Sequence, residues 1–161
     1  EWVDTGADYD ESLAPLPYDP LEAARLLAQA GWIDRDGDGR LDKDGEPFEF
    51  ALALLVGNQT GESLSQRLQE SLARLGIGLA IESFDWPSLS ERVKRHNFDA
   101  VVLGWTMPVD NDPAARWHSR TIGEETNNYC SFSDAQIDAW IEQVEVELAY
   151  AERTPLMHTL Q

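Results

Sequence analysis

The spacing of apolar residues changes several times between Phe48 and Leu103, and each change predicts a new element of secondary structure. Phe48–Val56 first alternates apolar and polar residues and then becomes continuously apolar, which is typical of a strand. A helix closed by Gly76 is predicted next, because leucines recur at helical spacing: Leu64, Leu68, Leu72 and Leu75. Alternation then returns in a second predicted strand, which contains Ile77, Leu79 and Ile81.

The chain then repeats this order of helix and strand. The start signals of the next predicted helix are Asp85, Pro87 and Ser88, and its apolar residues are Leu89 and Val93. Ala100–Leu103 is almost continuously apolar, as expected of a central strand covered on both faces, and it leads to Trp105. The resulting β-α-β-α-β order predicts an α/β fold with parallel strands, right-handed crossovers and helices on both faces of the sheet.

Start and stop signals predict the segments on either side of this core. Residues 1–17 are acidic, contain two prolines and show no periodicity, so we expect a linker or a peripheral arm. A helix is predicted between Asp19, a capping residue, and Gly31, which ends the apolar pattern. The pair Asp112-Pro113 predicts a short helix that runs through Trp117.

A long acidic helix is predicted near the carboxyl end of the chain. Ser133 begins a capping-box pattern with Gln136. Four apolar residues then recur at helical spacing: Ile137, Ile141, Val144 and Leu148. Pro155 is expected to break or restart this helix, because proline has no backbone N–H to donate.

Composition narrows the classes of function. The 161-residue chain has 30 acidic and 12 basic residues, which gives a formal net charge of −18. Nucleic acids and anionic membranes would be repelled, so neither is an expected partner. Cys130 is the only cysteine, which rules out an internal disulfide. No apolar run approaches the roughly 18 residues that a membrane-spanning helix needs.

No arrangement of residues typical of an enzyme is found. The three histidines, His96, His118 and His158, lie on separate predicted elements without metal-binding spacing, so structural or surface roles are expected. A nucleophile elbow and a phosphate-binding glycine loop are also missing from the sequence. We therefore predict neither an enzyme nor a bound cofactor.

Asp34–Asp42 is open to two interpretations. Acidic residues at its first, third, fifth and ninth positions, with glycine at the sixth, match the start of a calcium loop. Position twelve, where a bidentate Glu belongs, is Gly45, and a strand-like run follows instead of a second helix. The alternative is an Asp/Gly-rich turn whose side chains bond their own backbone, and no metal site is assigned.

The change from apolar to polar residues after Leu103 marks the best candidate for a binding site, because open α/β sheets bind ligands where strands end in loops. An aromatic wall with one or two carboxylates suits a small ligand with an amine, such as a peptide N-terminus. The candidate ligand-binding residues are Trp105, Thr106, Met107, Asp110, Asp112, Trp117, Asn128 and Tyr129. Two alternatives stay open, since Asp112 could cap a helix and the tryptophans could pack in the core.

Six segments, in order, resemble bacterial extracellular solute-binding proteins of family 5, the dipeptide/oligopeptide-binding class of ABC importers. They are YDPLEAARLLAQAGW (Tyr18–Trp32), DRDGDGRLDKDGEPFEF (Asp34–Phe50), SLARLGIGLAI (Ser71–Ile81), NFDAVVLGW (Asn97–Trp105), DNDPAARWHS (Asp110–Ser119) and NNYCSFSDAQIDAWI (Asn127–Ile141). The resemblance implies a periplasmic-binding-protein-like type II fold. Residues 18–161 would then form most of the second lobe of a two-lobed protein, with residues 1–17 as the arm.

The resemblance also implies a function. Family members capture peptides in a cleft between two lobes and deliver them to the membrane permease of an ABC importer. We therefore expect a monomeric, periplasmic, peptide-binding protein, and a lipid anchor on a preceding segment is compatible with this. Acidic loops like Asp34–Asp42 are common in the family, which weakens the calcium interpretation.

One position departs from the family pattern. In dipeptide and oligopeptide binders, an Asp three residues after the Gly-Trp pair holds the α-amino group of the ligand, whereas Pro108 stands there in this chain. Either Asp110 takes that role from a shifted position, or the chain binds another cargo, such as a metal chelate, an oligosaccharide or an opine-like compound. A further alternative is a sensor or regulatory protein that uses this lobe.

Overall fold

A computed structural model describes residues 10, 12–104, 112–123, 127–147 and 149–160. These residues fall into two compact units. The sheet unit contains residues 17–93 and 97–104. The helical unit contains residues 10, 12–16 and 94–96 and the described residues from 112 onward. The proposed division into an arm at 1–17 and a lobe at 18–161 stays a prediction.

In the described residues, the sheet unit contains both helices and strands, and every element after residue 112 is helical. In chain order they are α1 (Pro20–Gln29), β1 (Asp42–Lys43), β2 (Glu46–Pro47), β3 (Glu49–Leu55), α2 (Gln59–Ala73), β4 (Gly78–Phe84), α3 (Trp86–Lys94), β5 (Ala100–Val101), α4 (Ala114–Trp117), a 3₁₀ helix (Ser119–Thr121), α5 (Ala135–Val146) and α6 (Tyr150–Thr159).

β3 lies in the middle of a parallel sheet, with β4 on one side and β5 on the other. Leu52 of β3 stands opposite Ile81 of β4 and opposite Ala100 of β5. Helices α2 and α3 connect the three strands, so the predicted β-α-β-α-β order and the α/β fold class are confirmed. The middle of β3 is buried and Leu54 is fully enclosed, which places the core of this unit on the central strand.

The strand before Trp105 differs from its prediction. We expected a central strand covered on both faces, but within the described residues β5 has two residues and pairs only with β3. Residues 100–103 are half-buried, and Val102 adds one further bond by donating its N–H to Ala53 O at 2.9 Å. Within the described residues the expected central position was therefore wrong, because an apolar run reports how the faces of a strand are covered, not whether both of its edges are paired.

Side-chain caps begin the helices of the sheet unit as predicted. The carboxylate of Asp19 accepts the N–H of Glu22 at 2.9 Å at the start of α1, and Asp85 accepts the N–H of Ser88 at 3.1 Å at the start of α3. Gly76 ends the turn after α2 with a φ of 78°, and a Cβ there would lie 2.9 Å from Gly39 O. Only glycine suits that position, because both its φ and this close approach exclude a side chain.

A hairpin that the sequence analysis did not predict precedes β3. β1 and β2 pair antiparallel, with Lys43 opposite Glu46, so Asp44 and Gly45 form a two-residue loop. Both loop residues have positive φ, 55° and 85°, as a type I′ turn requires. The Asp-Gly pair was an available signal, but strands of two residues leave no alternation to detect.

α5 and α6 supply the core of the helical unit. Ile141 and Val144 of α5 and Met157 of α6 are buried, which confirms the predicted apolar face of α5. The cap of α5 lies one residue later than predicted. Asp134, rather than Ser133, accepts the N–H groups that follow it, because its carboxylate reaches two of them at 2.8 and 3.0 Å.

The break in the long acidic helix also lies earlier than predicted. α5 ends at Val146 and α6 begins at Tyr150, so Pro155 lies inside α6 instead of causing the break. The chain turns at Glu147, whose backbone is extended and whose carboxylate accepts the N–H of Ala149 at 2.7 Å. This local bond competes with helix continuation, whereas a proline removes only one donor from the helix that contains it. The predicted position Leu148 lies outside the described residues.

Candidate functional site

The predicted site residues divide into two groups. Four of them lie outside the described residues, as does Pro108: Trp105, Thr106, Met107 and Asp110. The other four belong to the helical unit: Asp112, Trp117, Asn128 and Tyr129. Their geometry therefore describes one wall, which we call the α4 wall and define as residues 112–121 with residues 127–132.

Asp112 begins the α4 wall as a capping residue. Its Oδ1 accepts the N–H of Ala114 at 2.9 Å, in the first turn of α4, and the residue is exposed. The capping role that the sequence left open is therefore present. The capping bond leaves acceptor capacity on the Asp112 carboxylate, because each of its two oxygens can accept more than one hydrogen bond.

Trp117 ends α4 and exposes 43% of its surface. Its ring meets the ring of Phe132 edge-on, with centroids 5.7 Å apart and planes at 89°. Edge-to-face pairs of this kind stabilise an aromatic residue while leaving part of the ring open. Trp117 is thus neither fully packed nor unsupported, and its free surface is available to a ligand.

Asn128 and Tyr129 are neighbours in sequence but differ in exposure. Asn128 is 1% exposed, and its amide is hydrogen-bonded to the backbone of His118 and Phe132. Tyr129 is half-buried, and its hydroxyl donates to Asn127 Oδ1 at 3.3 Å. The structure therefore encloses Asn128 in the α4 wall and leaves Tyr129 nearer the surface.

A polar cluster lies beside α4 and includes His118, which is 5% exposed. The N–H of Arg120 donates to His118 Nδ1 at 3.1 Å. Nδ1 lies 3.3 Å from Asp138 Oδ1, and Nε2 lies 3.5 Å from Glu142 Oε1. These contacts agree with the structural role expected for His118.

Asp138 of α5 joins this cluster to the 3₁₀ helix. Its carboxylate accepts the N–H and the hydroxyl of Ser119, at 2.8 and 2.5 Å. The hydroxyl bond, followed by the N–H bond, lowers the pKa of Asp138 below its ordinary value of 3.8. Arg120 forms an ion pair with Glu145 of the same helix. Several charged groups thus fix the 3₁₀ helix against α5.

The sheet unit has a second exposed surface, at the carboxyl ends of its strands, which the sequence analysis did not identify. Val56 follows β3 and is 61% exposed, and Trp86 follows β4 and is 60% exposed. Leu55 and Phe84, the last residues of the two strands, stand opposite each other, so Val56 and Trp86 follow the same sheet edge. The available signal was the position of Trp86 just after a predicted strand, where open α/β sheets bind ligands.

The Asp34–Asp42 loop is held by its own hydrogen bonds. Carboxylate oxygens of Asp34, Asp36 and Asp38 lie within 4.8 Å of one another. Asp34 accepts the N–H groups of Gly37 and Gly39, at 2.7 and 3.0 Å. This is the bonding expected of an Asp/Gly-rich turn, and such bonds account for the loop without an ion.

Comparison with known proteins gives consistent matches. The family model described as bacterial extracellular solute-binding proteins, family 5 Middle, matches residues 2–127. The oligopeptide-binding protein AppA of Bacillus subtilis is 35% identical over 131 residues, covering 80% of this chain and 24% of AppA. Di/tripeptide-binding protein 1 of Pseudomonas aeruginosa is 28% identical over 160 residues, covering 95% of this chain and 27% of that protein. The chain thus spans about a quarter of the length of these relatives.

Solved structures agree with the sequence matches. The structure of AppA from Bacillus subtilis in complex with a nonapeptide has a TM-score of 0.88 at 29% identity, covering 95% of this chain and 31% of AppA. The structure of NikA from Brucella suis in complex with Fe(III)-EDTA has a TM-score of 0.80 at 26% identity, covering 99% of this chain and 32% of NikA. Within the described residues, no helix is long and apolar enough to cross a membrane.

Proposed function

Because this chain belongs to the bacterial extracellular solute-binding proteins of family 5, we propose that it is part of the substrate-binding component of an ABC importer that captures peptides. Members of this family are binding proteins, and we propose that this chain likewise binds without catalysis. The observation that carries the proposal is the half-exposed Trp117. Its ring is held edge-on by Phe132, so an aromatic surface is preformed for a ligand.

The mechanism we propose is closure of two lobes on the peptide. This chain would supply the wall of one lobe, and a lobe outside the chain would supply the other. Closure requires that the ligand bind the closed state more tightly than the open state, since only that difference in affinity shifts the equilibrium. Trp105, Thr106 and Met107 stay proposed ligand contacts, as does Tyr129 in the α4 wall. The carboxyl edge around Trp86 is a further surface on which we expect ligand contact.

The amine of the peptide needs a carboxylate partner, and Asp110 is our proposed anchor. A charge-assisted hydrogen bond between an ammonium and a carboxylate is both strong and selective for a free amino terminus. Asp112 is the second candidate, because its capping bond to Ala114 leaves acceptor capacity on the carboxylate. We further propose that the whole protein is an extracytoplasmic monomer whose partner is the permease of the importer.

A non-peptide cargo is the second candidate function. The structure of NikA, which is similar to this chain, is a complex with Fe(III)-EDTA, so this fold also accommodates a metal chelate. Pro108, which stands where the resemblance leads us to expect the amine-binding Asp, favours this alternative. The two candidates differ in whether a free ligand amine contributes to affinity.

Mass spectrometry of the ligand that co-purifies with the full-length protein tests the proposal directly. Peptides should be recovered, and calorimetry with a synthetic nonapeptide should give one site per protein. Acetylation of the peptide N-terminus should weaken binding strongly, because it removes the charge that the carboxylate recognises. Recovery of a metal chelate or a sugar, with no binding of the nonapeptide, would favour the second candidate.

A further inference from the structure

We propose that Asn128 is a positioning residue, which fixes the indole of Trp117 in the α4 wall from behind and does not touch the ligand. The effect that we expect of Asn128 on peptide affinity rests on the proposed peptide-binding function. The effect of Asn128 on the position of Trp117 stands on the contacts of the helical unit alone. Asn128 was predicted as a ligand contact, and its surroundings indicate this different role.

Helix α4 cannot hold Trp117 in place by itself. The helix has four residues, and a helix of one turn is unstable without outside contacts because nucleation costs more than one hydrogen bond returns. Asp112 supports its beginning through the N–H of Ala114. The position of its other end, where Trp117 lies, therefore depends on groups that bind the carbonyls there.

Asn128 binds the end of α4 at which Trp117 lies. Its Nδ2 donates to the carbonyl of His118, the residue after Trp117, at 3.2 Å. Thr121 also donates its hydroxyl towards the His118 carbonyl, at 2.7 Å. The backbone that carries the indole is thus fixed on one side by a buried amide.

The amide of Asn128 also fixes the backbone of Phe132, whose ring packs against Trp117. Asn128 Nδ2 donates to the carbonyl of Phe132 at 2.9 Å, and Asn128 Oδ1 accepts the N–H of Phe132 at 2.8 Å. One side chain therefore ties the backbone on both sides of the Trp117–Phe132 pair. A shift of this amide would change the distance or angle between the two rings.

The side-chain amide of Asn128 has no free N–H donor for a ligand. An Asn side chain has two N–H donors, and both are used by these two carbonyls. The residue is 1% exposed, so a ligand could reach it only after the wall had opened. Both observations separate Asn128 from Tyr129, which is half-buried and nearer the surface.

Asn128→Asp tests the proposal, because it keeps the shape and the acceptor oxygen but removes both donors. Asn97→Asp is the matched control, since it makes the same change of amide to carboxylate at an exposed residue of the sheet unit, outside the α4 wall. Both variants are made in the full-length protein, labelled with 5-fluorotryptophan. The ¹⁹F resonance of Trp117 is assigned by its loss in Trp117→Phe.

In Asn128→Asp we expect the Trp117 resonance to shift or split while the resonances of Trp32 and Trp86 stay in place. Affinity for a synthetic nonapeptide with a free amino terminus should fall about tenfold, the scale of one or two lost hydrogen bonds. Asn97→Asp should change neither quantity. If Asn128→Asp does not fold, Asn128→Ser, which keeps one donor and adds no charge, should show the same displacement of the Trp117 resonance.

The outcomes separate the positioning role from the proposed function. An unchanged Trp117 resonance in a folded variant would overturn the positioning role, and reduced affinity in that case would mean that Asn128 contacts the ligand. A shifted resonance with unchanged peptide affinity would overturn the link to binding. If the unsubstituted protein does not bind the nonapeptide, peptide binding fails as the function, while the ¹⁹F spectrum still decides whether Asn128 positions Trp117.

Discussion

Replacing Trp117 by Ala in the full-length protein is the most direct test of the α4 wall as a binding surface. Trp117 leaves 43% of its surface exposed. Taking a tryptophan as roughly 250 Å², this exposed part is roughly 110 Å² that a ligand could cover. At about 25 cal/mol per Å², complete coverage would contribute about 2.7 kcal/mol, and half coverage about 1.3 kcal/mol. Trp117→Ala should therefore weaken peptide binding by about 10- to 100-fold.

The assay is calorimetry with a synthetic nonapeptide, together with thermal unfolding of each variant. Loss of the edge-on contact with Phe132 should itself cost about 0.5–1.5 kcal/mol of stability, so a modest fall in melting temperature is expected. Trp117→Phe is the control, because it keeps an aromatic ring at this place and should retain much of the affinity. A folded Trp117→Ala variant with unchanged affinity would refute the assignment of Trp117 to the ligand surface.

Four further changes test other parts of the molecule. Asp110→Asn should weaken a ligand with a free amine by about 1.5–3 kcal/mol and leave its N-acetylated form unaffected in calorimetry; equal losses for both forms would contradict the anchor. Trp86→Ala should weaken nonapeptide binding by about 1–3 kcal/mol, since 60% of Trp86 is exposed at the sheet edge, and an unchanged Kd would exclude that edge. Leu54→Ala should destabilise the protein by about 2–5 kcal/mol in urea, because Leu54 is fully buried on the central strand, and a loss below about 1 kcal/mol would contradict that burial. The lowered pKa of Asp138 contributes stability that is present above its unfolded pKa of about 3.8 and is lost as pH falls through the lower folded value. Asp138→Asn should therefore flatten the acid side of a plot of unfolding free energy against pH. An unaltered plot would mean that Ser119 does not stabilise the carboxylate.

The order of helices and parallel strands in the sheet unit could be predicted because most of its signals are local, whereas the β1–β2 hairpin was not predicted. Leucines at helical spacing and alternation in the strands report which faces are covered. Asp19 and Asp85 cap their helices through N–H groups three residues away, so the sequence contains both partners of each bond. Gly76 is required by a positive φ and a close approach to Gly39 O. Most of these helices and strands were thus predicted from residues that lie close together in the sequence.

Predictions were wrong or incomplete where neighbouring signals competed or where a contact spans the chain. Ser133 and Asp134 are both good capping residues, and only the geometry decides that Asp134 reaches two N–H groups. In the part of the sheet that the structure describes, the central position belongs to β3 rather than β5, because strand order depends on how crossovers pack and not on the composition of one strand. Apolar composition alone cannot separate a middle strand from an edge strand.

The roles of the site residues were harder to predict than the fold, because a residue in a binding motif can either contact the ligand or support the residues that do. Asn128 and Trp117 were both candidates for ligand contact, yet the structure encloses the amide and leaves the indole 43% exposed. Asn128 is enclosed because its amide binds two backbone carbonyls, that of His118 ten residues away and that of Phe132 four residues away. No rule of residue spacing predicts these two partners. A polar residue in a binding motif can therefore be selected for what it holds in place. In the proposed site, the enclosed amide of Asn128 would support the wall and the exposed ring of Trp117 would form its surface, as expected where a second shell of hydrogen bonds holds the residues that meet a ligand.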